Sequence, residues 1–335
     1  MGYRIAVIGA GNWGTALSVL LAERDNEVRL WVYEEGLAET MRTRRENTLY
    51  LAGHILPENI YPTNIIEEAV DSCDLIVSVV PSHAVKNVFT QLKEFIPDVP
   101  LISATKGIDI NTCQTVSQMA GEILSPSIQR KYAVLSGPSF AKEVVKRLPT
   151  AITLATNDGP LAKKLQSLFT RPYFRVYTNP DVIGVEIGGA LKNVIAIATG
   201  CSDGLGFGHN TRAALITRGL AEIKRLGMAM GAHASTFYGL SGIGDLVLTC
   251  TGELSRNRTV GYELGQGKKL TEIFSELSEK GMVAEGVKTT KAAHELAKRY
   301  KVSMPITQEV YNLLYEDKDV HQVVDDLMMR EIGGE

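Results

Sequence analysis

The hydrophobic pattern changes character once along this chain. Through residue 180, short continuous apolar runs alternate with longer amphipathic segments; beyond residue 181, only helical periodicity and glycine-containing loops remain. The runs at 4–8 (RIAVI), 27–32, 74–80 (DLIVSVV), 100–104 and 132–135 have the length and β-branched content of strands buried on both faces. Two more strand-like runs, 151–155 and 174–177, flank a helical segment. Strands alternating with helices predict an α/β domain with a doubly wound, mostly parallel sheet. Residues 43–66, punctuated by Pro57 and Pro62, read as irregular, and Asn179-Pro180 breaks the pattern. The expected organisation is a sheet domain over 1–180 and an all-helical domain over 181–335.

The second half opens on residues 185–200, VEIGGALKNVIAIATG, a helix apolar almost all round and therefore packed on every side. It places Lys192 and Asn193 side by side in that apolar surround. An unpaired buried lysine costs several kcal/mol, so a partner or an anionic ligand must compensate. One reading makes Lys192 a proton-transfer group facing a small anionic substrate. The other makes it a core lysine that snorkels or meets a structural carboxylate, with Glu186 and Asp203 as candidates. Gly188 and Gly189, one turn earlier, let something approach the backbone closely.

Chemistry in the first half gathers at strand ends. Gly9-Ala10-Gly11-Asn12-Trp13-Gly14 follows the first strand directly and opens a helix, the context a GxGxxG motif needs. Gly9 permits the turn, Gly11 lets the backbone approach a pyrophosphate, and Gly14 lets helix and strand pack tightly. The helix N-terminus offers free N–H groups and a partial positive charge. This arrangement predicts dinucleotide binding, with Trp13 either against the cofactor or packed in the fold. The second strand ends in Tyr33, Glu34 and Glu35, and Arg42, Arg44 and Arg45 follow. Acids favour the ribose hydroxyls of NAD and arginines the 2′-phosphate of NADP, so the preference stays open. His83, Lys106 and the segment Ser136-Gly137-Pro138-Ser139-Phe140-Ala141 also fall at strand ends. Lys106 is there an anion-binding candidate, whereas His83 reads better as lining the crevice than as a base.

In the second half, Leu240-Ser241-Gly242-Ile243-Gly244-Asp245 is a glycine turn opening a helix. Asp245 is its N-cap or an acceptor for Lys192 or for a substrate hydroxyl. Ser255-Arg256-Asn257-Arg258, placed ahead of a helix at 259–264, forms a phosphate site or a capped helix with solvated arginines.

Composition narrows the class. At 335 residues, 44% hydrophobic and 22% charged, the chain is an ordinary globular protein of about two domains. A net charge of −3 provides no basic field for nucleic acid or an anionic membrane, so cations that hold an anion must be local. Cys73, Cys113, Cys201 and Cys250 form no CxxC pair, which argues against a metal site and fits a reducing, cytoplasmic setting. The N-terminus does not read as a signal peptide, and no run of about 18 uninterrupted apolar residues suggests a membrane span.

Together, GAGNWGTAL at 9–17, VVPSH at 79–83, ATKGI at 104–108, SGPSFAKE at 136–143 and LPTAI at 148–152 resemble the bacterial-type NAD(P)-dependent glycerol-3-phosphate dehydrogenase family. So do NPDVIGVEIGGALKNVIAIATG at 179–200, ITRGLAE at 216–222, GLSGIGDLVLTC at 239–250, SRNR at 255–258 and MPIT at 304–307. The resemblance spans nearly the whole chain. It implies a Rossmann-like doubly wound sheet domain, then an all-helical domain of the 6-phosphogluconate dehydrogenase C-terminal type. It implies reduction of dihydroxyacetone phosphate to sn-glycerol 3-phosphate with NAD(P)H, supplying glycerophospholipid synthesis, in a homodimer. By motif match, Lys192 corresponds to the proton-transfer residue, and Lys106, Gly137, Ser139, Asn193, Asp245, Ser255, Arg256 and Asn257 to substrate-binding positions. Asn12, Trp13, Tyr33, Lys106, Ala141, Arg256, Val283 and Glu285 correspond to cofactor-binding positions; other members often carry a basic residue at Tyr33. Two alternatives are a 3-hydroxy acid dehydrogenase of the same architecture and a non-catalytic nicotinamide-binding redox sensor.

Overall fold

Eight strands form one sheet in the order β3-β2-β1-β4-β5-β6-β7-β8. They are β1 (Arg4–Ile8), β2 (Glu27–Trp31), β3 (Ile60–Thr63), β4 (Leu75–Ser78), β5 (Leu101–Ser103), β6 (Tyr132–Ser136), β7 (Thr150–Ala155) and β8 (Phe174–Asn179). These elements come from a computed structural model that describes residues 2–279 and 284–331. Neighbours pair parallel, with Ile5 beside Val28 and Leu75, except at β6 and β7, where Val134 faces Ala155 in antiparallel register. The order reverses at β1, so the carboxyl ends of β1 and β4 diverge into the crevice where open α/β sheets take ligands.

Both faces of the sheet are buried, which is why its strands read as continuous apolar runs. Ile5 and Val7 of β1 point into one core with Leu17, Leu20, Leu30 and Met41. Ala6 and Ile8 point into the other with Ile76, Val88, Phe89 and Leu92. The segment expected to be irregular contains β3. Pro62 sits there beside Leu30 without breaking the ladder, because β3 is an edge strand and an N–H on its open side is dispensable.

The chain divides into two compact units. The first runs to Lys106 and resumes over Gln114–Glu186; the second takes Gly107–Cys113 and everything from Ile187. The sequence predicts a boundary at residue 180; the division falls between Glu186 and Ile187, inside the helix Val182–Gly204. That helix has the length and composition to cross a membrane, yet 83% of its apolar window is buried inside the fold. It is a core helix.

Among the described residues, the second unit is helical. Its helices approach through glycine. A Cβ at Gly200 or Gly204 would land on the carbonyl oxygens of Arg258 or Tyr262, and one at Gly261 or Gly265 on those of Ile197 or Cys201. Val182–Gly204 and the helix Arg256–Gly265 therefore touch backbone to backbone. Gly188 is explained similarly: a Cβ there would stand 2.6 Å from the Ser241 carbonyl oxygen, so the close approach is made by the chain itself. The MPIT stretch gains a reason as well. Buried Glu222 accepts from the Ile306 and Thr307 N–H groups (2.7 and 3.1 Å) and from the Thr307 hydroxyl (3.0 Å), capping the helix Pro305–Tyr315.

Candidate functional site

In the first unit, each glycine of the loop after β1 has its own physical reason. Gly9 has φ +111°, and an added Cβ would stand 2.8 Å from the Val79 carbonyl oxygen. A Cβ on Gly14 would land on the Gly9 carbonyl oxygen. Gly11 is different: a Cβ there would meet nothing within 4 Å, so open space lies above it. Gly11 is also the N-cap of Asn12–Ala22, and no side chain caps that helix. Unpaired N–H groups facing open space at a helix start form a cradle suited to a dinucleotide pyrophosphate. Asn12 lies half-buried beside it. Trp13 packs partly against the core, and its buried indole N–H has no partner among the described residues.

Buried Asn47, which the sequence did not single out, holds this loop. Its amide donates to the Ala10 carbonyl (2.7 Å) and the Thr15 hydroxyl (2.8 Å), and its oxygen accepts from the Tyr50 N–H (3.0 Å). The Tyr50 hydroxyl donates to Glu34 at 2.8 Å. Tyr33, beside it, is 77% exposed. Of the neighbouring arginines, Arg42 pairs with Glu39 at 3.3 Å and Arg45 donates to the Ile60 and Pro57 carbonyls.

Lys106, Gly137 and Ser139 come together. The Lys106 ammonium and the Ser139 hydroxyl both donate to the Gly137 carbonyl, at 2.9 and 3.0 Å. Gly137 has φ +146°, and a Cβ there would stand 3.0 Å from Ile152. Ala141 opens the short helix that follows, half-buried. His83 is exposed in a single 3-10 turn.

In the second unit, the Lys192 side chain is 8% exposed. Its ammonium donates to Asp245 Oδ1 at 2.6 Å and to Thr249 Oγ1 at 2.8 Å. The Thr249 hydroxyl gives its own proton to the Asp245 carbonyl at 2.7 Å, so an oxygen lone pair is left for the lysine. Asp245 is the first residue of the helix Asp245–Thr251, whose N-cap is Gly244, and its carboxylate accepts from Lys192. Glu186 and Asp203 each have partners of their own. Glu186 accepts from the Ser117 N–H (2.8 Å), the Ser117 hydroxyl (2.5 Å) and the Tyr132 hydroxyl (3.0 Å). Burial pushes its carboxyl above the ordinary range, and these donors pull it back. Asp203 is gripped by Arg212 at 2.6 Å and by Arg258 at 2.7 Å.

The helix expected at 259–264 starts earlier, at Arg256, and Ser255 is its N-cap, accepting from the Arg258 N–H at 3.3 Å. The two arginines of SRNR part company there. Arg258 is tied to Asp203, whereas Arg256 is exposed at the helix start. Asn257 donates to the Asn193 side-chain oxygen (2.9 Å) and accepts from the Gly286 N–H (2.9 Å). Asn193 and Asn257 thereby link the helices Val182–Gly204, Arg256–Gly265 and Glu285–Tyr300. Glu285 is half-buried at the start of the last of these; Val283 lies outside the described residues.

Comparison with known proteins places both units. The N-terminal family model of NAD-dependent glycerol-3-phosphate dehydrogenase matches residues 4–162, and its C-terminal counterpart matches residues 181–325. The glycerol-3-phosphate dehydrogenase [NAD(P)+] of Geobacter metallireducens is 56% identical over 332 residues, which is 99% of this chain and 98% of that one. The crystal structure of glycerol-3-phosphate dehydrogenase from Coxiella burnetii superposes with a TM-score of 0.93 at 40% identity, covering 98% of this chain and 99% of that one. The enzyme structure from Saccharomyces cerevisiae gives a TM-score of 0.82 at 32% identity, covering 97% and 99%. This chain belongs to the NAD-dependent glycerol-3-phosphate dehydrogenase family.

Proposed function

We propose that the chain reduces dihydroxyacetone phosphate to sn-glycerol 3-phosphate with NAD(P)H, reversibly, and that Lys192 carries the proton. The observation that supports this most is the buried Lys192 ammonium, held 2.6 Å from Asp245 and 2.8 Å from Thr249. Bound NAD(P)H supplies the hydride that reduces the C2 ketone. As the ketone oxygen gains negative charge, the Lys192 ammonium stabilises it and donates its proton. In the reverse direction the neutral amine takes that proton back. Asp245 and Thr249 orient the ammonium and offset the cost of burying it.

The phosphate falls to Ser255, Arg256 and Asn257. Arg256 offers a planar fork beside a helix N-terminus, and both features favour a phosphate dianion. Asn193 steadies Asn257. Lys106, Gly137 and Ser139 supply further contacts to the substrate. Gly9, Gly11, Asn12, Trp13, Gly14, Tyr33, Lys106, Ala141, Arg256, Val283 and Glu285 hold the cofactor. Binding energy gathered at the phosphate, remote from C2, positions the ketone for reaction. An arginine fork beside a helix N-terminus suits a phosphate dianion better than the carboxylate of a hydroxy acid, and a redox sensor would have no use for the Lys192–Asp245 pair. The product would feed glycerophospholipid synthesis in the cytoplasm, from a homodimer.

The test is an absorbance assay of reduced nicotinamide with dihydroxyacetone phosphate, comparing wild type with Lys192→Ala. Proton transfer by a positioned group contributes about 10²–10⁴-fold, so the variant should lose at least that much kcat while still binding NADH. A variant retaining more than a few per cent of kcat would remove Lys192 from the mechanism.

A further inference from the structure

Asp203 ends the helix Val182–Gly204 with a side chain only 5% exposed, and it holds two guanidinium groups. Arg212 brings Nε (3.0 Å) and Nη2 (2.6 Å) to its Oδ1. Arg258 brings Nε (2.9 Å) and Nη2 (2.7 Å) to its Oδ2. All three charges stand where their own helices disfavour them. A carboxylate in a last turn faces the negative end of the helix dipole. Arg212 and Arg258, in the opening turns of His209–Ala229 and Arg256–Gly265, face the positive end. Local preference does not account for these residues; tying three helix ends together does.

The tie matters because of what Arg256–Gly265 carries. That helix touches Val182–Gly204 through glycines. Glycine surfaces set how near two helices come, but without interlocking side chains they do not fix slide or crossing angle. Polar cross-links do that here. Asn257 donates to Asn193, the neighbour of Lys192, at 2.9 Å, and Arg258 reaches Asp203. Two adjacent residues thus grip one helix at positions about 15 Å apart along its axis. One grip would leave a pivot; two fix the direction of the opening turn. Gln266 adds a bond to the Gly204 carbonyl from the far end. Arg256 stands exposed in the opening turn, so its guanidinium is aimed by the backbone the two grips hold.

We propose that Asp203 is a positioning residue for the reaction: by holding Arg258 it sets the phosphate-binding turn at a fixed place relative to Lys192. This rests on the reading that Ser255, Arg256 and Asn257 hold the substrate phosphate. The experiment is steady-state kinetics of the full chain with dihydroxyacetone phosphate at saturating NADH, with inorganic phosphate as competitive inhibitor at constant ionic strength. The variants are Asp203→Asn, Arg258→Gln, Arg212→Gln and Arg256→Ala, each checked for folding by circular dichroism. Arg258→Gln keeps the Asp203–Arg212 pair, so it tests the tie even if Asp203→Asn, which leaves two arginines without their carboxylate, does not fold. Either variant should raise KM and the phosphate inhibition constant together, by about tenfold, with kcat within about threefold of wild type. Arg212→Gln breaks a pair of the same kind away from that turn and should raise KM no more than about twofold. An unchanged KM in Arg258→Gln, while Arg256→Ala raises it, would overturn the proposal and leave the phosphate reading standing. So would a KM that rises without the phosphate constant. An equal rise in Arg212→Gln, or a kcat that falls as far as KM rises, would overturn it as well, since general loosening would account for both. An unchanged KM in Arg256→Ala would overturn the phosphate reading and this proposal together.

Discussion

A lysine among so many apolar residues stands out in a sequence because its burial demands a partner, and Lys192 was legible for that reason. Asp245, 53 positions on, was legible as an acceptor for Lys192 beside its other reading as a helix cap, since residue identity does not say which carboxylate reaches. Thr249 was not legible at all: a helical threonine has many ordinary roles, and only the fold shows its oxygen at the ammonium. The pair makes a sharp prediction. Asp245→Asn keeps the size and a hydrogen-bonding oxygen but removes the charge opposite a buried cation, so kcat should fall by about 10²-fold or more. Thr249→Val removes the hydrogen bond that Lys192 donates and the one that Thr249 donates to the Asp245 carbonyl, but leaves the charge pair in place, so kcat should fall less, by roughly tenfold. Steady-state kinetics of the two variants test this ranking, and equal effects would refute it. Elsewhere, a residue that sequence reading passed over carries its own pH signature. His294 stacks on Tyr311 at 3.9 Å and 8°. Burial first, then the charge of Lys298, holds the ring below its ordinary 6.5, against Glu295 and Glu316. A histidine depressed in the folded state binds fewer protons than the unfolded chain does on the acid side of 6.5. Its contribution is therefore complete above the unfolded value and is lost as pH falls through the folded one. His294→Phe keeps an aromatic stack and cannot titrate. Urea midpoints against pH should fall less steeply for the variant than for wild type on the acid side of 6.5; parallel curves would contradict this.

Elements were legible where one period dominated. The strand runs and the glycine loop declared themselves because burial on both faces leaves no polar alternation to confuse them. β3 was hidden because Pro62 reads as a breaker, and only the sheet order shows it on an edge. The start of Arg256–Gly265 was hidden because Ser255 could be placed as cap only once the Arg258 N–H was seen on it. What sequence reasoning could not supply is the pairing of Gly200 and Gly204 with Gly261 and Gly265, since close packing of two helices leaves no trace but small residues in each. That pairing has a consequence. A Cβ at Gly200 would land on the Arg258 carbonyl and also stand 2.9 Å from the Tyr262 nitrogen. Both are backbone atoms and cannot rotate away, so the helices must separate. Alanine is the better helix former by about 1 kcal/mol, but overpacking costs about 1–3 kcal/mol or more. Gly200→Ala should therefore lower the urea midpoint despite its higher propensity. It should also raise KM for dihydroxyacetone phosphate, because Ser255, Arg256 and Asn257 ride on the displaced helix. A variant as stable as wild type would show that the helices yield more easily than their backbone contact suggests.

For the whole molecule, the order of elements followed from the change in hydrophobic period, and the family followed from motifs strung through both units. The reasons behind the motifs required coordinates. The three glycines of one motif make the point, because they look alike in sequence and do different work. At Gly14, an added methyl would strike the Gly9 carbonyl inside the first unit itself. At Gly11, it would enter open space, and the backbone there, φ −66° and ψ −177°, suits any residue. Gly14→Ala should thus destabilise the protein by about 1–3 kcal/mol in the absence of ligand. Gly11→Ala should change that stability by no more than about 1 kcal/mol, the ordinary cost of a poorer cap. With cofactor the ranking reverses in kind. A ligand at 100 times its Kd stabilises the folded state by about 2.7 kcal/mol. Wild type and Lys192→Ala should gain that NADH-dependent rise in melting temperature. Gly11→Ala should lose most of it, because its methyl occupies the space the pyrophosphate needs. Thermal unfolding of the three proteins, with and without NADH, decides the matter. If Gly11→Ala gained the full NADH shift, the space above Gly11 would not be the cradle, and the cofactor reading of the first unit would fall with it.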